Sequence, residues 1–242
     1  TLGNDFFSRY VKSVAEKEGL DLSLIDFIDD SFKRVTVALS YVEDRAFVTY
    51  QDPDIDLIEP LLKLMDDPPF RHLHFAGLLI DERIPALIKK CHQKGIQVSM
   101  DSQHKEVTLD DDLCYETISR IDLFMPNSIE AIRLTQTQTL DEAANQLSKL
   151  VPTLIIKDGA NGSYGWQSNG KVHVAALSVE KVIDTTGAGD VFNAGFLSAY
   201  LQQLPLESCL QYGNIAGALS LRGHGGYTTS PTQHELTENF DS

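Results

Sequence analysis

Residues 184–201 read DTTGAGDVFNAGFLSAYL, a glycine-rich turn followed by an apolar segment. Apolar side chains recur at helical spacing after Asp190, which predicts a helix that begins near Gly189 and buries one face. The first N–H groups of a helix lack partners within it and carry the positive end of its dipole, so they can bind an anion. Gly187 and Gly189 let the backbone approach that anion closely. The stretch therefore predicts a phosphate site, with Asp190 beside it as a proton acceptor.

Asp190 alone has a simpler explanation, because an acidic residue at the start of a helix is favourable. That explanation leaves the two threonines, the two glycines and Asp184 unexplained within seven residues. The dinucleotide-binding pattern GxGxxG is excluded, because the third residue after Gly189 is Phe192. The phosphate site is therefore the preferred interpretation.

The composition is that of an ordinary globular protein, with 242 residues of which 42% are hydrophobic. A net charge of −15 disfavours nucleic acid or an anionic membrane as a partner. The chain has no apolar run of about 18 residues, and its start, TLGNDFFSRY, does not resemble a signal peptide, so a cytoplasmic location is expected. The three cysteines are far apart without CxxC spacing, which predicts neither a disulfide framework nor a zinc site.

Strand and helix patterns alternate along most of the remaining chain. A helix is predicted over residues 4–18, and an antiparallel hairpin over 34–50 turns at Glu43 and Asp44. After a polar turn at 52–56, the predicted segments are an amphipathic stretch over 57–65, strands at 72–79, 96–100, 121–125 and 153–157, a helix at 82–94, a hairpin of 163–167 with 172–176, and a helix over 206–221. This order predicts one α/β domain with a largely parallel sheet covered by helices on both faces.

The stretch DTTGAGD followed by FNAGF is similar to the second signature of the ribokinase-like (PfkB) carbohydrate kinases and matches it at every motif position. The resemblance covers the whole chain and is strongest from Pro126 to Pro231. It implies a three-layer α/β/α fold with a mostly parallel central sheet and a small β lid at about residues 24–51. It also implies that Asp190 is the general base, and that Gly187, Ala188 and Gly189 form the anion hole for the transferring phosphate.

The start of the chain departs from the family pattern. GNDFFS resembles the family's GxDxxG motif, with Gly3 and Asp5 present and Ser8 in place of the last glycine. Family members carry a strand, a helix and a Gly-Gly sugar-binding element before this point. The resemblance therefore implies a single kinase domain over residues 1–242 that lacks roughly the first fifth of a complete member.

NSIE, residues 127–130, matches the family's NxxE motif. The resemblance implies that Asn127 contacts nucleotide phosphate and that Glu130 organises magnesium through water. The same four residues form a helix-capping pattern, which would explain both without a ligand. The intact GAGD motif favours the functional interpretation, whereas TLDE at 139–142 is a capping pattern without such a context and is interpreted as structural.

The block DGANGSYGW, residues 158–166, resembles the family's nucleotide loop, although ordinary turn chemistry also explains its glycines. By that resemblance Gly159, Asn161 and Gly162 lie at the nucleotide, and Lys157 would meet phosphate as a point charge. Asn214 occupies the place of an adenine-pocket residue. Asp101 ends a predicted strand, but the family's Asp-x-Asn reads Asp-Ser-Gln here, which leaves a substrate role for Asp101 in doubt.

The closing segment RGHGGYTTSP, residues 222–231, resembles a loop that lines the nucleotide and a monovalent cation in the family. Gly225 would thus contact the nucleotide, and potassium is a further implied ion. The residues expected around potassium are Asp184, Thr186, Ser220, Gly223, Gly225 and Thr229.

Together these expectations describe an ATP-dependent phosphotransferase with Mg²⁺ that acts on a hydroxyl of a sugar or sugar-like small molecule. A catalytically silent, nucleotide-binding regulatory protein and a vitamin kinase of the same superfamily are the alternatives. The resemblance also implies a homodimer formed through the lid. The substrate is not named by the sequence, because the residues that would select it lie mainly in the missing segment and in the lid.

Overall fold

The computed structural model describes residues 1–40, 45–51, 56, 58–103 and 106–240. The chain divides into two compact units, Thr1–Lys63 and Leu64–Ser242. The predicted turn at Glu43 and Asp44 and most of the polar turn at 52–56 lie outside the described residues. The single predicted domain therefore stays a prediction, and each unit has an architecture of its own.

The first unit contains one long helix and a two-stranded antiparallel sheet. Helix α1 (Phe6–Lys17) begins after Asp5, whose carboxylate accepts hydrogen bonds from the N–H groups of Phe7 and Ser8. Strands β1 (Arg34–Ser40) and β2 (Arg45–Gln51) pair along their full length, which confirms the predicted hairpin. Helix α2 (Ile58–Leu64) lies at the boundary between the units in the sequence.

The second unit is built on a six-stranded sheet whose strands lie side by side in the order in which they occur in the chain. The first four strands are parallel, and the last two form an antiparallel hairpin at one edge. Their bounds are β3 (His72–Phe75), β4 (Gln97–Met100), β5 (Leu123–Phe124), β6 (Thr153–Lys157), β7 (Ser163–Gln167) and β8 (Gly170–Val174). Each strand overlaps a predicted one, although β3 ends at Phe75 and not at Leu79, β5 covers only two of its five predicted residues, and β8 spans 170–174 and not 172–176.

Helices connect and cover these strands, as the α/β pattern predicts. Two of them, α4 (Asp112–Arg120) and α9 (Gln233–Phe240), were not predicted from the sequence, because both are mostly polar. The helices of this unit are α3 (Ile84–Gln93), α4 (Asp112–Arg120), α5 (Ser128–Thr135), α6 (Leu140–Leu147), α7 (Ala188–Tyr200), α8 (Leu206–Ser220) and α9 (Gln233–Phe240). A one-turn 3₁₀ helix, Gly159–Asn161, follows β6.

The close packing of α7 against α8 depends on glycines at the helix contact. A Cβ at Gly195 would stand 2.5 Å from the Ala216 Cβ, and one at Gly213 would stand 2.8 Å from the Phe192 ring. The buried Phe192 and Phe196 of α7 join Ile155 of β6 in one apolar cluster. This packing holds the first turn of α7 near the carboxyl ends of the parallel strands, where open α/β sheets bind ligands.

Two sequence expectations about the whole chain can be compared with the structure. No helix among the described residues is long and apolar enough to cross a membrane. The cysteines Cys91, Cys114 and Cys209 are free and buried. Burial raises the pKa of Cys114 to about 12, so this thiol is unreactive at neutral pH.

Candidate active site

The turn before α7 has the geometry predicted for an anion site. Helix α7 begins at Ala188, one residue from the predicted start. Gly187 caps it in the left-handed conformation with φ of 75°, and a Cβ at Gly187 would stand 2.5 Å from the Gly226 carbonyl oxygen. Glycine is therefore required at 187 by backbone conformation and by space.

Gly189 differs from Gly187, because the fold does not require it. Its φ is not in the left-handed region, and the Lys157 Nζ, at 3.6 Å, is the nearest atom to where a Cβ would stand. A glycine within a helix costs about 1 kcal/mol relative to alanine. The residue is also exposed. Its absent side chain thus leaves an open main-chain surface beside an ammonium group, which is what an incoming anion needs.

Asp190 follows directly and is exposed in the first turn of α7. Asp190 lines a cavity of about 370 Å³ together with residues that include Ala194, Tyr227 and Gln233. Partial desolvation and the charge of Asp101 raise the pKa of Asp190, while Lys157 acts in the opposite direction. An accessible carboxylate with a raised pKa is suited to take a proton from a hydroxyl group.

A buried ion pair lies beneath the turn, between the ends of β4 and β6. The Lys157 Nζ donates to Asp101 Oδ2 at 2.7 Å and to Asn193 Oδ1 at 3.2 Å. The Asn193 Nδ2 donates to the same Asp101 oxygen at 2.6 Å. The side chains of Lys157 and Asp101 are only 11% and 8% exposed. Each member of this triad is thus hydrogen-bonded to the other two, as a buried polar network requires.

On the neighbouring strands β3 and β4, two histidines share one serine. His72 Nε2 and His74 Nδ1 lie 2.7 Å and 2.8 Å from the Ser99 Oγ, which is fully buried. Burial lowers the pKa of His74 to about 4, although Asp101 acts to raise it. His74 is therefore neutral at neutral pH.

Asn127 and Glu130 form the predicted capping box at the start of α5. The Glu130 N–H donates to Asn127 Oδ1, and the Asn127 N–H donates to Glu130 Oε2, both at 2.9 Å. Thr139 and Glu142 form the same box on α6, as predicted. Asn127 differs in its surroundings, because a parallel bridge places it beside Lys157. The structure thus brings the NxxE segment close to the triad.

The other residues expected at the nucleotide have structural explanations within the chain. A Cβ at Gly162 would stand 2.1 Å from the Val174 carbonyl oxygen, so the chain path requires glycine there. The Asn161 Nδ2 donates to Asp158 Oδ2 at 3.0 Å. The Asn214 Nδ2 donates to the carbonyl oxygens of Val174 and Ala175 at 2.9 Å and 3.1 Å. These contacts account for Asn161, Gly162 and Asn214 without a nucleotide. A Cβ at Gly159 would meet open space, but its φ of 54° lies in the left-handed region, so backbone conformation favours glycine there as well.

The six residues expected around potassium fall into two hydrogen-bonded groups. Asp184 accepts from the N–H groups of Thr186 at 2.9 Å and Gly225 at 3.0 Å. The Thr229 Oγ1 donates to the Ser220 carbonyl oxygen at 2.7 Å, and a Cβ at Gly223 would stand 2.5 Å from Thr229 Cγ2. A backbone hydrogen bond of 2.9 Å from the Ile183 N–H to the Leu221 carbonyl joins the two segments.

The oxygen atoms that these segments could offer to a cation as ligands are carbonyl and hydroxyl oxygens and one carboxylate. Such a ligand set suits a hard cation of low charge. In the part of the chain that the structure describes, no cluster of three or more His, Cys, Asp or Glu side chains could hold a metal ion.

Comparison with known proteins decides the family. Residues 1–233 match the model of the pfkB family carbohydrate kinases. The chain belongs to this family. A curated ribokinase from Haemophilus influenzae is 25% identical over an alignment that covers 98% of this chain and 78% of that protein.

Solved structures of pfkB-type kinases share the fold. A ribokinase of Arabidopsis thaliana complexed with ribose and ATP superposes with a TM-score of 0.83 at 20% identity, over 100% of this chain and 80% of that one. A fructokinase of Vibrio cholerae O395 with fructose, ADP and calcium gives 0.81 at 24% identity, over 99% of this chain and 83% of that one. The predicted ribokinase-like fold is confirmed.

Within this pfkB kinase, the structure gathers Gly187, Ala188, Gly189, Asp190, Lys157 and Asn127 at the carboxyl edge of the sheet. Asn193 was missed, and Asp101 was left without a firm role. One signal was available for Asn193, because it lies four residues after Gly189 and so on the same helix face. The partners it meets are 92 and 36 residues away in the sequence, which no local pattern reveals.

Proposed function

We propose that this chain transfers the γ-phosphoryl group of ATP to a hydroxyl group of a sugar or sugar-like small molecule. One observation carries the proposal: the exposed Asp190 and the open main chain of Gly189 occupy the same helix turn, above a buried lysine. A proton acceptor, an anion site and a cation thus lie together, which is the set of groups that phosphoryl transfer requires.

In this proposal Asp190 takes the proton of the acceptor hydroxyl as that oxygen attacks phosphorus. Its raised pKa makes it a better base than a free aspartate. The N–H groups at the start of α7, with Gly187 as the cap, stabilise the negative charge on the transferring group. Lys157 adds a positive charge on the sheet side of the same turn.

The cofactors are ATP and Mg²⁺, with K⁺ as a further ion. Asn127 lies beside Lys157 and would contact a nucleotide phosphate, while Glu130 would hold magnesium through water. When bound, magnesium supplies charge neutralisation on the phosphate oxygens. Gly159, Asn161, Gly162, Asn214 and Gly225 are proposed to line the nucleotide. Potassium is proposed to bind between the Asp184 and Thr229 segments, where it would fix the path of the backbone that leads into Gly187.

The homodimer is part of the proposal, because the hairpin β1–β2 exposes an apolar face. Val37 lies opposite Val48 in the hairpin. Val37, Leu39, Val48 and Tyr50 are 53%, 41%, 60% and 57% exposed. A two-stranded sheet is marginally stable by itself, and a second copy of the same face would bury these side chains.

The test is a screen for ATP consumption over free sugars, sugar phosphates and nucleosides, with product detection by mass. One acceptor should gain the mass of a phosphoryl group, and Asp190→Asn should lower its turnover about 100-fold to 10,000-fold. Asp122→Asn is a matched control, since Asp122 lies at the amino end of β5, on the opposite edge of the sheet. ATP binding without transfer to any acceptor would instead support the silent regulatory alternative.

A further inference from the structure

Asp101 has a place in the site that the family motif does not explain. Its carboxylate is buried at the end of β4 and meets Lys157 and Asn193 through one oxygen, at 2.7 Å and 2.6 Å. Removing a carboxylate and an ammonium from water is unfavourable, and apolar side chains of similar volume often serve stability as well. A buried pair at the ligand-binding edge of the sheet therefore suggests a role beyond stability.

Two hydrogen bonds fix the position of the Lys157 ammonium group. Asp101 Oδ2 and Asn193 Oδ1 take two of its three donors, and no described residue takes the third. Asn193 is itself fixed, because it is only 2% exposed and is part of α7. The ammonium is thus tied to the same helix whose first turn forms the anion site.

We propose that Asp101 is a positioning residue for phosphoryl transfer: together with Asn193 it holds the charged Lys157 beneath residues 187–189, with one donor left for the transferring phosphoryl group. The proposal rests on the kinase activity proposed above. Asp101 does not contact the substrate in this arrangement. It acts through Lys157, and through its own charge on Asp190.

The charge of Asp101 gives the proposal a pH signature. The charged groups that act on Asp190 are Asp101 from the end of β4 and Lys157 from β6. The loop after α8 and helix α9 bring Tyr227 and Gln233 to the same cavity. Asp101 raises the pKa of Asp190 more than Lys157 lowers it. Loss of the Asp101 charge should therefore let Asp190 ionise at lower pH.

The experiment compares pH profiles of kcat/KM for the full chain, Asp101→Asn and the control Asp122→Asn. Asp101→Asn should lower kcat by about 10-fold or more with a smaller change in the KM of the acceptor, because the lysine contact strengthens in the transition state. Its acid limb should also move to lower pH. Asp122→Asn should leave both kcat and the acid limb unchanged.

Asp101→Asn leaves Lys157 charged and buried without its counter-ion, so this variant can fail to fold. The double variant Asp101→Asn with Lys157→Gln removes both charges and avoids that problem. It should fold, turn over about 10-fold or more slower than the unchanged chain, and show a smaller shift of the acid limb to lower pH, because Asp101 acts on Asp190 more strongly than Lys157 does. Thermal unfolding followed by circular dichroism checks that each variant is folded.

The outcomes separate this proposal from the kinase proposal. Full turnover in Asp190→Asn contradicts the proposed function itself, whatever Asp101→Asn does. If Asp190→Asn is inactive but folded Asp101→Asn keeps its kcat, or loses it with the acid limb in place, then Asp101 is structural and the positioning role is wrong.

Discussion

At the scale of single residues, Gly187 and Gly189 differ in whether the fold requires glycine at their positions. Gly187 has φ of 75°, and a Cβ there would collide with the Gly226 carbonyl. Gly187→Ala should therefore destabilise the protein by more than about 1 kcal/mol. Gly189 has room for a methyl group, so Gly189→Ala should leave stability unchanged or raise it by up to about 1 kcal/mol.

Turnover should follow a different order from stability in these variants. The methyl group of Gly189→Ala would stand against the Lys157 ammonium, between it and an incoming phosphoryl group. Turnover should fall although the fold is as stable as before. Urea unfolding and steady-state rates on the same preparations measure both quantities, and full activity in Gly189→Ala would show that the turn does not bind the phosphoryl group.

Residue patterns in the sequence were informative where neighbours in the chain are also neighbours in space. The glycine turn, the start of α7 and both capping boxes were predicted, because each is formed by residues within about one helical turn. The triad was not, because Asp101, Lys157 and Asn193 meet only after β4, β6 and α7 pack together. Asp101 is separated in the sequence by 56 residues from Lys157 and by 92 residues from Asn193, so no periodic pattern connects them.

At the scale of secondary-structure elements, the two capping boxes form a matched pair with different surroundings. Asn127→Ala on α5 and Thr139→Ala on α6 should each cost about 1 kcal/mol of stability, because each removes one cap. Only Asn127→Ala should also raise the KM for ATP, since only Asn127 lies beside Lys157. An unchanged KM for ATP in both variants would show that Asn127 and Glu130 only cap α5.

The glutamates of the two boxes allow a sharper test of the magnesium role. Glutamine preserves a capping box but removes the carboxylate charge. Glu130→Gln should therefore keep α5 intact and raise the magnesium concentration needed for half-maximal rate. Glu142→Gln should leave that concentration unchanged, and a parallel response in both variants would contradict a metal role for Glu130.

The histidine pair on β3 should make stability depend on pH. The pKa of His74 is about 4 in the folded chain, against 6.5 for an unperturbed histidine. Between these values the unfolded chain binds more protons than the folded chain, so the free energy of unfolding should fall as pH falls from about 6.5 to about 4. His74→Asn should flatten this dependence, measured by urea unfolding at several pH values.

His234→Asn is the control for this measurement, because the His234 side chain is 81% exposed. Its pH dependence should match that of the unchanged chain. An equally steep dependence in His74→Asn would mean that another group causes the acid sensitivity.

The bounds of helices and strands were predicted closely where the local sequence carries clear signals for where an element begins and ends. Strand β6 was predicted with its observed bounds, and β4 and α3 to within a few residues, because short β-branched runs and glycine stops mark them. Helices α4 and α9 were missed, since the sequences of both are polar on average. In both, packing against the rest of the unit supplies what the local sequence lacks.

At the scale of the whole molecule, the exposed hairpin face makes a prediction about assembly. If the chain pairs through it, sedimentation equilibrium should give about twice the 26.8 kDa mass of one chain. Val37→Lys with Val48→Glu should shift the protein toward the monomer. Thr36→Lys with Thr49→Glu changes the same strands on the opposite face and should not. A monomeric unchanged chain would contradict the proposed dimer.

The fold class of the molecule could be predicted from alternating strands and helices, but its substrate could not. The α/β order follows from local periodicity and the parallel sheet from crossover length. An acceptor is chosen by side chains from several segments that converge in space, and no local pattern in the sequence reveals such a convergence. With a net charge of −15, the chain as a whole repels a polyanionic nucleotide. The proposed nucleotide binding therefore depends on local cations such as Lys157.

The most direct measurement compares catalysis with binding in Asp190→Asn, once the screen has named an acceptor. Phosphorus NMR would follow transfer from ATP, and calorimetry would follow ATP binding, on the same preparation. If Asp190 is the base, transfer should fall about 100-fold to 10,000-fold while ATP affinity changes little. Transfer at an undiminished rate in a folded Asp190→Asn chain would contradict the mechanism.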